Sequence, residues 1–363
     1  MADAPETTSA KPPRKAPRPK RASKGSGGAP LPKAGKRPAV VAITGADGFL
    51  GSNALNWLRS SEQCEKVVVI DIRKPALAIR KTVFYKTDLT EPNCDARIAD
   101  IFEKEGVTRV IHCAFTNWPK VNNTDLHELE VIGTLNILNA CARCRVEQIV
   151  VPSTAKVYDA ASSHPNFLTE DMPLREIVDF PYLQNRVEVA ELLARHARRH
   201  QDTRVTVLRF ATILGPRIRT YETRLLSRSA VPTIMGYDPL IQFLHEDDAI
   251  EAFRLAMEKT EVSGIFNIAG RGVLPLSTIL KIGGKFDMAL PAFAARGIVT
   301  SLWLGGVTSI PPAYLRFLQF LNVADTAKAR EQLGFVPRFS TKEAWLAFTG
   351  EERLRRYVSE AAA

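Results

Sequence analysis

An apolar segment followed by three regularly spaced glycines constrains this chain more than any other feature. Residues 40–51 read VVAITGADGFLG, so a strand-like run ends at Gly45, and further glycines stand at Gly48 and Gly51. A missing Cβ permits a sharp turn at Gly45, close approach of a phosphate at Gly48, and contact between strand and helix at Gly51. The helix that follows would point its positive end at that phosphate. The pattern therefore predicts a strand-turn-helix unit that binds a dinucleotide.

An acidic residue stands where such a unit places its ribose-binding carboxylate. Asp71 closes the next apolar run, residues 66–71, about twenty residues after Gly51. A carboxylate there accepts hydrogen bonds from ribose hydroxyls and repels a 2′-phosphate, and the next residue, Ile72, is not basic. These residues favour NAD as the cofactor, while the nearby Arg73 keeps NADP as the alternative.

Strand-like and helical patterns alternate along the chain after residue 38. The apolar runs at 39–44, 66–72, 82–87, 107–114, 147–152 and 204–214 predict strands, and the stretches near 49–60, 94–105, 125–145 and 181–200 predict helices. This alternation is typical of an α/β fold with a doubly wound parallel sheet, called a Rossmann fold, with helices on both faces. We predict an NAD-binding domain over 39–215, to which 243–270 return, a smaller C-terminal substrate lobe over 216–242 and 271–350, and a C-terminal tail over 351–363.

Most of the positive charge is concentrated at the N-terminus. The net charge is +10, and residues 1–38 contain ten Lys or Arg against Asp3 and Glu6, which gives +8. This segment is rich in Pro, Ala, Ser and Gly and poor in large apolar residues, so we predict a disordered basic tail. Contact with nucleic acid or with an anionic membrane is one hypothesis for it, and a plain solubilising or spacing tail is the other.

The cysteines and the absence of a secretory signal pattern favour the cytoplasm. The five cysteines form an odd set without an apolar leader, which predicts reduced thiols. Cys141 and Cys144 form a CxxC within a helical pattern, and no second pair completes a zinc site, so we predict buried structural side chains and no metal.

An uncharged segment spans residues 297–315 and approaches the length of a membrane span. Its three glycines and the adjacent Pro311 and Pro312 make it a poor continuous helix, so we expect no transmembrane helix. Two interpretations remain: an apolar wall over a substrate pocket, or a surface that dips into a bilayer.

Three further residues suggest acid-base chemistry. Tyr182 and Arg186 are four residues apart in a helical pattern, which puts them on one helix face. A fixed cation beside a phenol favours the phenolate and eases proton exchange with a substrate oxygen. Thr154 ends a predicted strand at the same edge of the sheet, where its hydroxyl could hold a carbonyl or alkoxide.

The chain resembles the extended branch of the short-chain dehydrogenase/reductase superfamily, the NAD-dependent epimerase/dehydratase family, from about residue 38 to 349. The matching segments are TGADGFLG at 44–51, DL at 88–89, IHCA at 111–114, GTLN at 133–136, STAKVY at 153–158, LR at 208–209, LGP at 214–216, FLHEDD at 243–248, and DTAKAR with LGFVP at 325–337.

The resemblance implies that Tyr182 is the general acid/base, that Thr154 is its hydroxyl partner, and that hydride is exchanged at a nicotinamide ring. The family carries Lys where this chain has Arg186, which keeps the positive charge but cannot release a proton. We predict Thr154, Tyr182 and Arg186 as catalytic residues. The predicted cofactor site consists of Gly45, Asp47, Gly48, Phe49, Leu50, Gly51, Asp71, Ile72, Arg73, Asp88, Leu89, Cys113, Ala114, Tyr182 and Arg186.

Two other departures bear on the substrate. Glu130 stands where many relatives carry Asn, which puts the contribution of its helix to the active site in doubt. Ile241 stands where nucleotide-sugar relatives usually place an Arg that clamps a diphosphate; Arg217, Arg219 and Arg224 could compensate, with plain surface charge as their default interpretation. His245 is interpreted as an orienting hydrogen-bonding residue.

These observations lead to three hypotheses about function. The first is an NAD(H)-dependent oxidoreductase that acts on a hydroxyl or ketone of an apolar small molecule. The second is a nucleotide-sugar 4-epimerase or dehydratase, and the third is a non-catalytic NAD(H)-binding regulatory or scaffold protein. The family also suggests a homodimer.

Overall fold

The computed structural model describes residues 38–75, 81–177 and 179–361. The predicted basic tail, apart from Pro38, lies outside the described residues. The described residues all belong to one compact unit.

Thirteen strands are present in the described part of the chain. In chain order they are β1 (Ala39–Thr44), β2 (Cys64–Asp71), β3 (Thr82–Lys86), β4 (Arg109–His112), β5 (Gln148–Thr154), β6 (Arg204–Phe210), β7 (Thr212–Leu214), β8 (Ala230–Ile234), β9 (Leu240–Ile241), β10 (Phe243–His245), β11 (Gly264–Ile268), β12 (Leu274–Pro275) and β13 (Phe286–Leu290).

The α-helices of the same part are α1 (Phe49–Ser60), α2 (Cys94–Glu105), α3 (Thr124–His127), α4 (Gly133–Cys144), α5 (Pro181–Arg199), α6 (Tyr221–Leu226), α7 (Glu246–Glu258), α8 (Leu276–Gly283), α9 (Ala292–Leu304) and α10 (Thr341–Ala361). Short 3-10 segments occupy Ala155–Tyr158 and Pro312–Leu318, and π-helical segments occupy Glu128–Ile132 and Ala329–Leu333.

Seven strands form one parallel sheet in the order β3-β2-β1-β4-β5-β6-β11. The order reverses direction at β1, so the carboxyl ends of β1 and β4 face the crevice in which such sheets bind ligands. This arrangement confirms the predicted doubly wound α/β fold.

The sheet is buried on both faces because its central strands carry apolar residues at several consecutive positions. In β1, Val41 and Ile43 belong to the apolar cluster that includes residues of α1 and α7, whereas Val40 and Ala42 belong to the cluster that includes residues of α2, α4 and α5. Alternate side chains of a strand point to opposite faces, so a continuous apolar run supplies both clusters.

Several elements differ from the sequence-based boundaries. The predicted strand 204–214 breaks at Ala211, and its second part, β7, leaves the main sheet to pair with β10. The predicted helix 125–145 contains the π-helical segment Glu128–Ile132 between α3 and α4. Residues 351–361, assigned to a C-terminal tail, continue helix α10.

The remaining strands form two small sheets outside the main one. Strand β8 pairs in parallel with β13, and β9 pairs antiparallel with β12. A third apolar cluster includes residues of this region, among them Leu225, Val231 and Tyr314, together with Tyr182 and Leu183 of α5. This cluster therefore joins the helix that carries Tyr182 to the C-terminal elements.

Candidate active site

A cleft lies at the carboxyl ends of the central strands. It encloses about 860 Å³, part of which is open to solvent. Its lining combines the start of α1, the end of β5, the start of α5 and the segment around α6. The residues that line it are Gly48, Phe49, Leu50, Gly51, Cys113, Phe115, Asn117, Pro152, Ser153, Thr154, Tyr182, Leu183, Arg186, Phe210, Ala211, Thr212, Ile213, Ile218, Thr220, Tyr221 and Glu222.

The glycine segment has the close contacts that its sequence predicts. Gly45 has a φ of +64°, and a Cβ on it would lie 2.3 Å from the carbonyl oxygen of Cys113. A Cβ on Gly51 would lie 2.1 Å from the carbonyl oxygen of Gly45. These two positions exclude any side chain, so the start of α1 comes directly against the end of β1, and its N–H groups open into the cleft.

Asp71 at the end of β2 is held beside this turn. Its Oδ2 accepts a hydrogen bond of 3.1 Å from the backbone N–H of Ala46, and its Oδ1 accepts one of 3.3 Å from that of Arg73. The carboxylate therefore sits next to the glycine segment, where a ribose-binding acid is needed. Ile72 and Arg73 follow it on the exposed surface.

Tyr182 and Arg186 meet at one backbone oxygen. The Tyr182 hydroxyl donates a hydrogen bond of 3.1 Å to the Thr116 carbonyl oxygen, and Nη2 of Arg186 donates one of 2.7 Å to the same atom. The Arg186 guanidinium also lies over the ring of Phe115, with 4.4 Å between its central carbon and the ring centroid. The helical spacing of four thus places both side chains at one point of the cleft.

Arg186 is paired with Glu130, a second residue that departs from the family pattern. Nη2 of Arg186 lies 3.1 Å from Oε1 of Glu130, and both side chains are almost fully buried. The same Glu130 oxygen accepts a hydrogen bond of 3.0 Å from the Thr116 backbone N–H. The π-helical segment Glu128–Ile132 carries Glu130, and such segments often re-aim side chains at functional sites. The two departures are therefore one interaction.

Burial determines the protonation of these groups more than the neighbouring charge does. Burial raises the pKa of the Tyr182 phenol, and the positive charge of Arg186 offsets only part of that increase. Arg186 thus favours the phenolate, as expected, but burial outweighs its effect and the pKa of Tyr182 is raised overall. Burial also raises the pKa of Glu130, against the opposing effects of Arg186 and the Thr116 N–H.

Thr154 lies in the same lining as Tyr182. Its Oγ1 accepts a hydrogen bond of 3.2 Å from the backbone N–H of Lys156, which caps the 3-10 segment Ala155–Tyr158. A hydroxyl that accepts one hydrogen bond still has its own proton to donate. Thr154 can therefore donate to an oxygen placed in the cleft.

A second buried ion pair borders the cleft and was missed by the sequence reasoning. Nζ of Lys156 lies 2.9 Å from Oε1 of Glu222 and 2.5 Å from Oγ1 of Thr212. Glu222 lies within α6, a short helix that the apolar pattern did not indicate. A lysine two residues after a strand end, in an apolar context, was the only signal for this pair in the sequence.

An apolar pocket adjoins the cleft and shares Ala211 and Thr212 with it. Its lining is mostly apolar and includes Ile241, Leu276, Tyr314, Phe317 and Leu318, with Lys156, Gln242 and Asn322 as its larger polar residues. Ile241 is the residue that stands in place of the diphosphate-clamping arginine, so an apolar wall occupies this position.

The three arginines that could have compensated have other contacts. Arg217 pairs with Glu246 and Asp247, Arg219 donates to the Ile218 carbonyl, and Arg224 donates to Ser309. None of the three lines the cleft or the adjoining pocket. His245 caps helix α7 by accepting a hydrogen bond of 3.2 Å from the Asp247 N–H, in keeping with an orienting role.

Some predicted cofactor residues lie outside the cleft lining. Asp88 accepts hydrogen bonds from the N–H and hydroxyl of Thr90, so its carboxylate closes its own turn. Leu89 packs against Gly133. The full set outside the lining is Gly45, Asp47, Asp71, Ile72, Arg73, Asp88, Leu89 and Ala114.

The CxxC cysteines behave as packing residues. Cys141 is fully buried, and Cys144 donates to the Ala99 carbonyl oxygen. All five cysteines are free thiols. Across residues 38–75, 81–177 and 179–361, no group of three or more His, Cys, Asp or Glu side chains could hold a metal ion.

Comparison with known proteins gives one family match and several relatives. The model of the NAD dependent epimerase/dehydratase family matches residues 41–269. An uncharacterized protein of Mycobacterium tuberculosis is 29% identical over 315 residues, which cover 85% of this chain and 82% of that protein.

A yeast enzyme and a solved structure are also similar to this chain. The decarboxylating sterol-4-alpha-carboxylate 3-dehydrogenase of Saccharomyces cerevisiae is 25% identical, over 84% of this chain and 95% of its own length. The dTDP-glucose 4,6-dehydratase DesIV of Streptomyces venezuelae, solved with NAD and TYD bound, superposes with a TM-score of 0.64 at 19% identity. That match covers 88% of this chain and 98% of DesIV, and it shows that the fold is shared.

Proposed function

Because this chain belongs to the NAD-dependent epimerase/dehydratase family, we propose that it is an NAD(H)-dependent oxidoreductase that acts on a hydroxyl or ketone of an apolar small molecule. One observation carries the proposal. The start of α1, Thr154 and Tyr182 line a single cleft, and that cleft continues into a pocket walled by Ile241 and Phe317.

The chain has the features that hold a dinucleotide. The tight approach of Gly45 and Gly51 exposes the N-terminus of α1 to bind a pyrophosphate, and Asp71 stands beside it for a ribose. Bound NAD would supply the hydride donor or acceptor. We assign Tyr182 and Arg186 to the nicotinamide end of the site, because they line the cleft together with the end of β5, which lies three strands from Asp71's strand β2 in the sheet.

The residues of the cleft can transfer a proton without help from Arg186. Tyr182 stays protonated because burial raises its pKa, so it can donate its proton to the oxygen of a ketone as that oxygen gains negative charge. Thr154 donates a second hydrogen bond to the same oxygen. Arg186 does not release a proton; its Nη2 holds the Thr116 carbonyl, which in turn orients the Tyr182 hydroxyl.

The apolar character of the substrate rests on the adjoining pocket. A nucleotide diphosphate needs a fixed cation, and Ile241 offers none. Lys156 lies nearby, but Glu222 and Thr212 already occupy its ammonium group. The yeast relative, a sterol-carboxylate dehydrogenase, also supports an apolar substrate.

A nucleotide-sugar 4-epimerase or dehydratase is the second candidate. The dTDP-glucose 4,6-dehydratase with the same fold favours it. Here NAD would remain bound and be recycled within one turnover, so tightly retained cofactor and binding of a UDP- or dTDP-sugar would distinguish it. A non-catalytic NAD(H)-binding protein is the third, and it would bind cofactor reversibly without any turnover.

We also propose a cytoplasmic location, because five free thiols suit a reducing compartment. A homodimer is proposed on the family resemblance, and half-exposed Ile132 and Leu135 near the start of α4 are consistent with it. Residues 1–38 are proposed to contact an anionic polymer or surface through their net charge of +8.

Two measurements test the proposal together. Mass spectrometry of the purified protein under non-denaturing conditions identifies any retained cofactor. A screen of apolar ketones and alcohols against UDP- and dTDP-sugars, followed at the NADH absorbance, then measures turnover. We expect turnover of apolar carbonyls, abolished by Tyr182→Phe. Turnover of sugar nucleotides alone would select the second candidate, and abundant turnover by Tyr182→Phe would contradict the assigned role of the phenol.

A further inference from the structure

Strand β13, helix α9 and the turn that follows α9 expose a group of seven large apolar side chains to solvent. We call it the apolar platform and define it by Phe286, Met288, Phe293, Ile298, Leu302, Leu304 and Val307. The exposed fractions of Phe293, Phe286 and Leu304 are 83%, 69% and 68%. Single exposed apolar residues are ordinary, but seven within 22 residues of chain mark an interaction surface.

One side of α9 anchors the helix to the body of the protein. Ala295 and Val299, four residues apart, are buried in the apolar cluster that also contains Tyr182 and Tyr221. Residues at that spacing form one helix face, so α9 is fixed by this face and exposes the others. Residues 297–309 of the uncharged segment line neither the cleft nor the adjoining pocket, so they do not form a wall of the substrate pocket. Within the segment 297–315, only Tyr314 lines the adjoining pocket.

The segment that carries the platform has few charged residues in its sequence. Between Asp287 and Asp325 the chain has no acidic residue, and its only charged residues are Arg296 and Arg316. Asp287 itself is engaged by the hydroxyl of Thr233. Asp179, from another segment, lies 3.8 Å from Arg296 and also pairs with Arg316, so this carboxylate has two arginine partners.

The charge of the whole chain selects the kind of partner. The chain carries +10, of which residues 1–38 contribute +8. A second copy would bring the same positive charge, and nucleic acid would offer charge without an apolar phase for the platform. An anionic phospholipid bilayer offers both, and stable peripheral binding requires such a pair of signals.

The helix is suited to lie at the bilayer surface. Its 13 residues span about 20 Å, which is shorter than the bilayer core of about 30 Å. More generally, the described residues contain no helix that is both long and apolar enough to cross a membrane. Phe293, Leu304 and Val307 would enter the boundary between headgroups and acyl chains, while Arg296, which is exposed beside Asp179, would stay at the level of the headgroups.

We propose that the apolar platform docks this protein on anionic membranes and that the basic residues of positions 1–38 strengthen the docking. The docking itself does not require turnover. If the proposed function also holds, a docked enzyme could take an apolar substrate directly from the bilayer.

Sedimentation with lipid vesicles tests the proposal on the full chain. The vesicles are an equal mixture of phosphatidylglycerol and phosphatidylcholine, compared with pure phosphatidylcholine at low and high salt. The platform variant combines Phe293→Ser, Leu304→Ser and Val307→Ser. The matched control combines Val336→Ser, Leu354→Ser and Tyr357→Ser, three residues with exposed fractions of 63%, 63% and 74% outside the platform. The charge variant replaces the ten Lys and Arg of residues 1–38 by Gln.

We expect the wild type and the matched control to bind the anionic vesicles equally. The platform variant should bind about a hundredfold more weakly, since it loses three partly inserted apolar side chains. The charge variant should bind more weakly and lose most of its salt dependence. Because every substituted platform residue is exposed, unchanged circular dichroism should accompany the loss.

Three results would overturn the proposal. The first is wild-type vesicle binding by the platform variant, which would leave the basic segment as the sole attachment. The second is the absence of wild-type binding to anionic vesicles at low salt, with or without binding to DNA. The third is a change from dimer to monomer in the platform variant without loss of vesicle binding, which would assign the surface to a second copy. None of these results depends on turnover, so failure here is distinguishable from failure of the proposed function.

Discussion

At the scale of single residues, the active site contains a buried ion pair between Arg186 and Glu130, and both residues depart from the family pattern. The sequence shows Arg186 and Glu130 as two separate departures from the family pattern, and the structure places their side chains 3.1 Å apart in the interior. A guanidinium has a fixed charge and several donors, and a carboxylate is its natural partner. The pair keeps a cation beside Tyr182. Glu130 accepts a hydrogen bond from the Thr116 N–H, and Arg186 donates one to the Thr116 carbonyl oxygen.

The first prediction concerns the coupling of this pair. Glu130→Gln leaves a buried guanidinium without its counter-charge, so the free energy of unfolding should fall by about 3–5 kcal/mol. Combining Glu130→Asn with Arg186→Lys restores the family's residues, and this double variant should be more stable than the sum of the single effects by about 0.5–3 kcal/mol. Urea denaturation of the wild type, Glu130→Asn, Arg186→Lys and the double variant measures this coupling.

The surface pair of Arg143 and Glu103 provides the control for this coupling. Both side chains are about half exposed, so Glu103→Gln should cost less than about 1 kcal/mol. Strict additivity of the Glu130 and Arg186 substitutions would contradict the coupling. We expect Arg186→Lys alone to retain turnover; a large loss would mean that Arg186 has a different role.

The second prediction concerns the pH dependence that Tyr182 imposes. Burial raises its pKa above the ordinary value of about 10, so the phenol is protonated at neutral pH. Reduction of a ketone uses the protonated form and should be nearly independent of pH from about 6 to 9. Oxidation of the matching alcohol needs the phenolate, so its rate should rise throughout that range. Initial rates in both directions on one substrate pair measure this; an oxidation rate that levels off near neutral pH would contradict it.

Residue roles were predictable from sequence only where local spacing determines them. The spacing of Tyr182 and Arg186 placed them on one helix face correctly. The net direction of the pKa shift of Tyr182 was not predictable, because it depends on burial by residues from distant segments. The pairs Arg186–Glu130 and Lys156–Glu222 join positions 56 and 66 residues apart in the chain, and no local pattern encodes such contacts.

At the scale of secondary-structure elements, the glycine turn is held by a polar connection between strands. His112 at the end of β4 contacts the hydroxyl of Thr44 at 2.7 Å and that of Thr134 in α4 at 2.9 Å. It therefore ties β1 and β4 to the helix that covers them, directly behind Gly45. Burial, with a smaller contribution from Arg186, lowers the pKa of His112 to about 3.

The third prediction follows from that shift. His112 stays neutral in the folded protein, whereas in the unfolded chain it binds a proton below its ordinary pKa of about 6.5. Its contribution to stability is therefore present above that pH and is lost as the pH falls toward about 3. Between about pH 7 and pH 5 this group alone should remove about 2 kcal/mol from the free energy of unfolding.

Denaturation curves at several pH values test this contribution. His112→Asn should be less stable than the wild type at neutral pH, but its stability should fall less steeply on acidification. An identical slope in His112→Asn would contradict the assignment.

Element types were predictable where periodicity is strong, and boundaries failed where tertiary contacts intervene. The helices Phe49–Ser60 and Cys94–Glu105 begin and end where their patterns predict. The π-helical segment that carries Glu130 was not predictable, because a single extra residue per turn leaves the apolar pattern almost unchanged. The break at Ala211 depends on the pairing of β7 with β10, which involves residues about thirty positions away.

At the scale of the whole molecule, the class of substrate depends on the pocket that adjoins the cleft. Elements from distant parts of the chain supply the adjoining pocket: β9 contributes Ile241, α8 contributes Leu276, and the 3-10 segment Pro312–Leu318 contributes Phe317. The sequence identified the missing arginine at Ile241. The sequence alone could not show that a mostly apolar pocket lies where the arginine is missing, because residues from distant segments form this pocket.

The fourth prediction tests this assignment by restoring the charge. Ile241→Arg places a guanidinium in the apolar pocket, so activity on an apolar ketone should fall at least about tenfold, mainly through KM. Affinity for a UDP-sugar should rise, because the guanidinium can bind the diphosphate. Ile241→Leu, which conserves volume and polarity, serves as the control and should keep wild-type kinetics within about twofold. Unchanged use of apolar ketones by Ile241→Arg would contradict the pocket's role.

Direct transfer of hydride in this cleft is the central claim, and isotope transfer tests it most directly. The protein is incubated with NADH deuterated at C4 of the nicotinamide and a set of apolar ketones, and the alcohol products are analysed by mass spectrometry. We predict that wild-type protein transfers one deuterium to the carbinol carbon of at least one apolar ketone and that Tyr182→Phe transfers none above background. Absence of deuterium from every apolar product, with cofactor bound to the protein, would contradict the claim.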